Sequence, residues 1–491
     1  MGLPCTIKVK ETMPEVFRCR KGAFMTTKTS HRNAMITIFS VAAFILFRNL
    51  PLPAGLSREA MTVLGLMVAA LLMWVTEAVN MAITTILVCV MLPFFGCMTA
   101  AEMYSSFGSK VFFFMIGTFS ITAALATTTL PTRIAGFILR WAGKSPRKLV
   151  LGFTIGAGLL SSIMSNVPTC ALFATLAISI LKANGDPKPG TSNIGKCLMM
   201  AIPAGSVIGG FMSPAGGPTN LIAMGALEEL GIRITFLDWM VIGYPVGLLC
   251  CVLFAISVCA LFPCESITDE AIATAETMVS GSGPLVSREI KSLAIVAGMF
   301  ILWILSTWFP VLDTTLVALL GMCLLFLPGI EVISWQQYCE HSSWDALFLI
   351  GGVGALAAAA SSTGAATWLI NTVLGGAAGW SPVLVLIAIS AVACVMHVLV
   401  PSGPAVAGLL TMPMMLLAQK SGASLTAVAM ICAYWGGVTF LLPTDAVPMF
   451  TYSYGYYSTK DMMKNGVIPS VVFIVLVALL VPVMTGIMGY R

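Results

Sequence analysis

The feature that most constrains this chain is the apolar run at residues 149–181, which is interrupted in its middle. One straight membrane span needs about 20 apolar residues to cross ~30 Å of hydrocarbon. Here the run breaks at Ser161, Ser162, Ser165, Asn166 and Pro168. Such a break frees backbone N–H and C=O groups that lipid cannot satisfy. Each arm is about 15 residues, too short to cross alone. The expectation is a re-entrant helical hairpin with its tip buried in protein; the alternative is two short spans joined by a polar turn.

Apolar runs of this kind recur from residue 34 to residue 488, and only 9% of the 491 residues are charged. Soluble domains carry about 25%, so the expected class is an all-α polytopic membrane protein. Residues 1–33 form a basic arm rather than a cleavable signal. Its Met1, Gly2, Leu3, Pro4, Cys5, Thr6 start formally matches a myristoylation pattern. A first span with its loop covers 34–57. With the N-terminus in the cytoplasm and both broken runs re-entrant, about 11 transmembrane helices place the C-terminus outside. Nineteen of the 25 lysines and arginines then lie inside, as the positive-inside rule asks. The fourteen cysteines, Cys5 and Cys19 among them, show no metal-site spacing and read as small apolar fillers. Three histidines, no zinc-protease pattern and no nucleophile elbow argue against an enzyme. No organic cofactor and no nucleic-acid partner is expected.

A polar linker at 263–291, with Glu265, Asp269, Glu270, Glu276, Gly281, Gly283 and Pro284, divides the chain. Residues 77–96 parallel 310–329, 111–130 parallel 346–365, and the broken run 149–181 parallels 382–418. The shared order predicts two repeats, 58–262 and 292–491, inverted in the membrane as in many secondary transporters. Each also holds a helix broken by Gly and Pro: 197–227, with Gly216, Gly217 and Pro218, and 424–457, with Pro443, Thr444, Asp445 and Pro448. The second hairpin tip is Pro401, Ser402, Gly403 and Pro404. Four breaks at matching places imply half-helix ends converging near the midplane. Half-helix N-termini suit an anion, and released carbonyls with Ser or Asn oxygens suit a hard cation; kinked packing alone would explain a single break.

Charged groups inside spans are costly and need a reason. Asp445 lies in a break and could bind a cation, carry a proton, recognise a cationic group or cap the helix that follows. His397 reads as a packed or backbone-bonded group, Glu77 as structural, and Lys110, Asp313 and Asp345 as snorkelling at span ends.

At these residues the sequence resembles the divalent anion/sodium symporter family of di- and tricarboxylate transporters. The resemblance rests on residues 74–85 (WVTEAVNMAITT), 165–169 (SNVPT), 216–220 (GGPTN) and 452–466 (YSYGYYSTKDMMKNG). It covers residue 58 to the C-terminus. It implies sodium held by Ser161, Ser165, Asn166 and Gly216. It implies substrate held by Ser165, Asn166, Val167, Gly217, Pro218, Ser402, Gly403, Pro404 and Asp445. The departures gather in the second set. Asn80 replaces a proline, Val167 a hydroxyl residue, Gly217 a Ser or Thr, and Ser402, Gly403 and Pro404 a second Ser-Asn-Thr tip. Asp445 stands where the family has threonine, and Val398 where a second serine would precede the tip. Thr444 and Asp445 are therefore candidates for a remodelled second cation site or a proton site.

The resemblance implies a sodium-coupled symporter of a small anion in the plasma membrane, working as a homodimer by an elevator motion. Proton coupling and anion exchange are the alternatives; a channel would need polar residues along several spans rather than at the breaks.

Overall fold

The computed structural model describes residues 27–490 except 77, 186, 188, 272, 274–276, 278–283, 310, 367, 369–371, 373–379 and 401. The arm at 1–26 with Cys5, Cys19 and the myristoylation pattern, Glu77, Glu276, Gly281, Gly283 and Pro401 lie outside the described residues. Among those described, the regular structure is helical. The first part holds α1 (Thr27–Asn49), α2 (Arg58–Thr76), α3 (Met81–Phe94), α4 (Ala100–Phe107), α5 (Lys110–Ala126), α6 (Leu130–Ala142), α7 (Pro146–Ser161), α8 (Asn166–Ala183), α9 (Asn193–Met212), α10 (Pro218–Glu229) and α11 (Phe236–Leu261). After the linker come α12 (Ser287–Leu305), α13 (Thr314–Phe326), α14 (Trp335–His341), α15 (Trp344–Ser362), α16 (Pro382–Leu399), α17 (Gly403–Ser421), α18 (Leu425–Gly437), α19 (Ala446–Tyr452) and α20 (Thr459–Ile487).

Among the described residues, seven helices are long and apolar enough to cross a membrane, with α3, α13, α17 and α18 as shorter apolar helices. The same succession of element types occurs on both sides of the linker: a short helix, a long apolar one, a hairpin, an interrupted helix and a closing helix. The halves interlock, with α5 packed on α13, α3 on α15, and α10 on α17 and α18.

The hairpin arms are longer than the apolar pattern suggested. They hold 16, 18, 18 and 19 residues in α7, α8, α16 and α17, or roughly 24–29 Å at 1.5 Å per residue. The polar residues at the tip are themselves helical: α7 runs through Ser161 and α8 starts at Asn166. Short arms therefore do not set these segments apart. Their tips do, because Ser161 and Ser162 are fully buried and Ser402 nearly so.

The interior is built around α9 and α18, both buried along almost their whole length. Glycines let the backbones close. A Cβ on Gly209 would strike the backbone of Gly158 in α7, and one on Gly205 that of Thr154. This is the small-residue contact that membrane helices use where burial of apolar surface offers no drive. On the outside, Val467, Val471, Val475, Leu479, Val483 and Ile487 form an exposed apolar row on α20. Their regular spacing of four, on a helix of about 3.6 residues per turn, makes the row wind gradually around α20 as a broad apolar stripe.

The linker begins by tying itself to the transmembrane part. The Glu265 carboxylate accepts from the N–H groups of Asn193 (2.8 Å) and Ile194 (2.7 Å) at the start of α9, and from the Ser192 hydroxyl. Burial opposes its charge, but these donors together outweigh it and hold the carboxyl below its ordinary range. A depressed carboxylate contributes stability above its unfolded pKa and loses it as pH falls through the folded value. Glu265→Gln should therefore lower the unfolding midpoint near neutral pH by the equivalent of about 0.5–1 kcal/mol. Melting curves of the two proteins should converge once the pH drops below the range where Glu265 stays ionised.

Candidate functional site

The two hairpin tips and the two helix breaks open on one cavity of about 530 Å³. Its lining includes Ser165, Asn166 and Val167 from the first tip, and Gly216, Gly217 and Pro218 from the first break. It also includes Ser402, Gly403 and Pro404 from the second tip, and Thr444 and Asp445 from the second break. Every residue named above for substrate is thus on one surface. Of the sodium candidates, Ser161 alone is off the lining; it is buried immediately behind it.

Local sequence explains how the first break is held. α9 ends at Met212, leaving carbonyls without intrahelical partners. The Asn220 amide, reaching back from α10, donates to the carbonyls of Gly210 and Ser213, both at 2.7 Å. The Ser213 hydroxyl donates to the Ser162 carbonyl, joining the break to the hairpin tip. At the tip, the Ser161 hydroxyl donates to Asn166 Oδ1 at 2.7 Å. The Ser165 N–H donates to Thr122 Oγ1 of α5 at 3.1 Å. Gly210 is required here: a Cβ on it would sit 2.5 Å from Asn166 Oδ1. Side-chain oxygens of Ser161 and Asn166 and the carbonyls of the break form a hard-donor set that fits a sodium ion.

The helix starts carry the electrostatics. Most described helices have an N-cap side chain that accepts a backbone N–H, such as Asn80, Thr99, Ser109, Ser145, Ser192, Thr235, Asp313, Ser334, Ser381, Ser424 and Ser458. The N-cap residues making no such bond are Ser165, Gly217, Val286, Ser343 and Ser402. All but Val286 line the cavity. Uncapped helix starts leave N–H donors and partial positive charge where a ligand could use them. No lysine or arginine stands among the described residues of the lining, so these N-termini are its positive features.

The negative features are Asp345 and Asp445. Asp345, expected only to snorkel, takes a hydrogen bond from the Asn80 side chain at 3.2 Å. That contact pairs it with a residue that departs from the family pattern. Asp445 caps α19 by accepting from the Ala446 N–H. It also faces His397 Nε2, with its Oδ2 at 3.9 Å. His397 is backbone-bonded, as its surroundings in the sequence suggested: Nδ1 meets the Trp435 carbonyl in the last turn of α18. A carbonyl only accepts, so Nδ1 carries the hydrogen. In a neutral ring Nε2 is then an acceptor, and it has no hydrogen-bond partner among the described residues. It faces a second acceptor in the Asp445 carboxylate, and the buried Thr444 hydroxyl, also without a hydrogen-bond partner among the described residues, lies nearby.

Sequence reasoning missed Thr122, Thr219, Ser343 and the cavity role of Asp345. Hydroxyls in apolar helices were a signal for the first two; Thr219 is 4% exposed and lines the cavity. Lys110, expected to snorkel, is exposed at the start of α5 and lies 3.6 Å from both Glu228 and Asp313, and Asp313 caps α13.

Comparison with known proteins bears on the chain as a whole. Residues 29–488 match the model of the sodium:sulfate symporter transmembrane region. The chain is 26% identical to a sodium-dependent dicarboxylate transporter, SdcS, of Staphylococcus aureus strain bovine RF122, over 89% of this chain and 88% of that one. The protein of the same name from Staphylococcus saprophyticus is 27% identical, with 90% of each covered. Among solved structures, Neisseria gonorrhoeae MtrF, described with a class of antimetabolite efflux pumps, superposes with a TM-score of 0.54 at 9% identity. That match covers 94% of this chain and 95% of MtrF, and it bears on the fold alone.

Proposed function

This chain belongs to the sodium:sulfate symporter family of membrane transporters, and we propose that it couples sodium entry to the uptake of a small dicarboxylate through the cavity between the two hairpin tips. The observation that carries this reading is the gathering of four uncapped helix starts, after Ser165, Gly217, Ser343 and Ser402, on that cavity. Carboxylates would bind to those N–H groups without a basic side chain. Sodium would sit behind the first tip, on Ser161, Ser165, Asn166 and the Gly216 segment. The relatives named as sodium-dependent dicarboxylate transporters support the choice of ion and of substrate class.

We extend the reading to two inverted repeats with re-entrant hairpins, an inside N-terminus, an outside C-terminus, a plasma-membrane homodimer and an elevator motion of the cavity. The recurring order of elements and the buried tips support the first of these, the lysine and arginine distribution supports the orientation of the termini, and the homodimer, the plasma membrane and the elevator motion come with the family resemblance.

Asp445 sets this chain's version of the site apart. A substrate carboxylate about 4 Å from an ionised aspartate is repelled by about 4 kcal/mol at an effective dielectric of 20. The substrate therefore enters with a second cation held by Asp445, Thr444 and His397. A proton in that place would make the protein a mixed sodium and proton carrier, the reading favoured by the unpartnered His397 Nε2.

The test is a thermal-shift series on purified protein with C4 dicarboxylates, sulfate and citrate, each with sodium or with choline. Stabilisation by a dicarboxylate only when sodium is present is expected; at 100-fold excess over Kd it amounts to about 2.7 kcal/mol. Equal stabilisation in choline would remove sodium from the binding step, and stabilisation by sulfate alone would reassign the substrate.

A further inference from the structure

Away from the cavity, the fold brings together three thiols that the sequence keeps apart. Cys197 lies near the start of α9, Cys259 in the last turn of α11, and Cys264 in the linker just beyond. Their sulfurs all lie within 4.8 Å of one another. Cys197 and Cys264 approach to 3.2 Å and are unbonded. Cys197 and Cys259 are buried and Cys264 is half-buried. The sequence, which shows no metal-site spacing, suggests only apolar fillers at these positions. The ligands are contributed by two helices and a loop, so no short spacing announces them.

We propose that Cys197, Cys259 and Cys264 bind a thiophilic d10 cation, Cu+ or Zn2+, as a site separate from transport. Three sulfurs with no carboxylate in the cluster prefer soft ions over sodium, magnesium or calcium. An ion about 2.3 Å from each sulfur holds the sulfurs about 4 Å apart, within the spread already present. The surroundings preset this arrangement. Glu265, next to Cys264, pins the linker to the N–H groups of Asn193 and Ile194, one turn from Cys197. That carboxylate is occupied by the cap and leaves the ion to the three sulfurs. The Cys197 thiol is directed at the Phe262 carbonyl at 3.3 Å and the Cys264 thiol at the same carbonyl at 3.5 Å. Binding replaces these weak contacts, and the displaced thiol protons leave to water. The bound ion fastens the start of α9, the helix that carries the first break, to the end of α11 and the linker.

The experiment uses full-length protein purified with reductant, exposed to Zn2+ alone or Cu+ alone and then desalted. About one retained ion per chain is expected. Alkylation mapped by mass spectrometry should slow at Cys197, Cys259 and Cys264 by at least about tenfold in the loaded protein. Cys323, which is exposed, should react unchanged and serves as the internal reference. Cys259→Ser, at the edge of the cluster, should lose most of the ion while keeping its elution position. The proposal is overturned if neither ion is retained, if the three cysteines alkylate as fast as before, or if Cys259→Ser holds as much ion as the parent. A Cys197–Cys264 disulfide in the reduced preparation would also overturn it, assigning the pair to redox chemistry instead. The alkylation readout needs no variant, so a misfolded substitution cannot mimic success.

Discussion

Placing a methyl group on Gly210 is expected to weaken sodium activation of transport by about 10- to 100-fold, the usual cost of disturbing the groups that orient metal ligands. The reason is steric and local. The Gly210 Cα faces the Asn166 side chain so closely that an added Cβ would lie 2.5 Å from Oδ1 and 2.6 Å from Nδ2. No Cβ is tolerated there, so the Asn166 amide must swing away. Doing so breaks its 2.7 Å bond with Ser161 and moves the oxygen assigned to sodium. Backing off α9 instead would disturb the Gly210 carbonyl, which holds Asn220 at 2.7 Å and lies against Gly216. Either response reaches the cation site, because tip and break are nested on this one glycine. The overpacking itself costs about 1–3 kcal/mol, which a polytopic protein survives, as elution and melting should show. The measurement is uptake against sodium concentration at saturating substrate. A shifted half-activation with a nearly unchanged maximal rate is expected. An unchanged sodium curve in folded Gly210→Ala protein would take Asn166 out of the cation site.

That nesting shows what the sequence disclosed and what it withheld. Breaks were visible because glycine and proline interrupt apolar runs at 161–168, 208–220, 400–404 and 442–448, and a broken helix in a membrane must satisfy its freed backbone groups somewhere. The convergence of Ser165, Gly217, Ser402 and Asp445 on one cavity could be expected from that rule together with the repeat. The helix ends could not. Whether Ser165 or Ser402 caps its own helix depends on a side-chain rotamer, and a sequence pattern would assign both as ordinary N-caps. The structure leaves both unbonded to their helices, and this is what frees the N-termini toward the cavity. Asp345 and Ser343 were hidden for another reason. They lie at the start of a long apolar helix, where a charge usually means the membrane surface. Tertiary packing of α15 against α3 instead turns that start toward the site. The hairpin arms were underestimated because the polar residues at the tip were counted as loop, whereas Ser161 and Asn166 are already helical.

Replacing Asp445 with asparagine should remove one coupled cation from each transport cycle without abolishing transport. His397 Nδ1 is committed to the Trp435 carbonyl, so in the neutral ring Nε2 is an acceptor, and the group it faces is the Asp445 carboxylate at 3.9 Å; a proton on Nε2 turns the same contact into an ion pair. In the parent protein a positive charge must lie in or beside this gap before a substrate carboxylate can approach. An asparagine amide donates where the carboxylate only accepts. It satisfies Nε2 directly, keeps the α19 cap through its oxygen, and removes the repulsion of the anion. Asp445→Asn should therefore fold and bind substrate with its second cation requirement gone. The thermodynamic consequence is large. One charge crossing a 100 mV potential is worth about 2.3 kcal/mol, so the concentration ratio that the variant can sustain falls by about 50-fold, at about 1.4 kcal/mol per factor of ten. Reversal potentials in proteoliposomes, set by opposing substrate gradients, measure the charge moved per substrate directly. A decrease of one elementary charge is the expected result. Repeating the series with a proton gradient and no second sodium identifies the ion: loss of pH-driven uptake in Asp445→Asn assigns a proton, and a lower sodium stoichiometry assigns sodium. Unchanged charge per substrate in an active variant would leave Asp445 with its α19 cap as its sole role, and the family's threonine would then have been replaced for structural reasons alone.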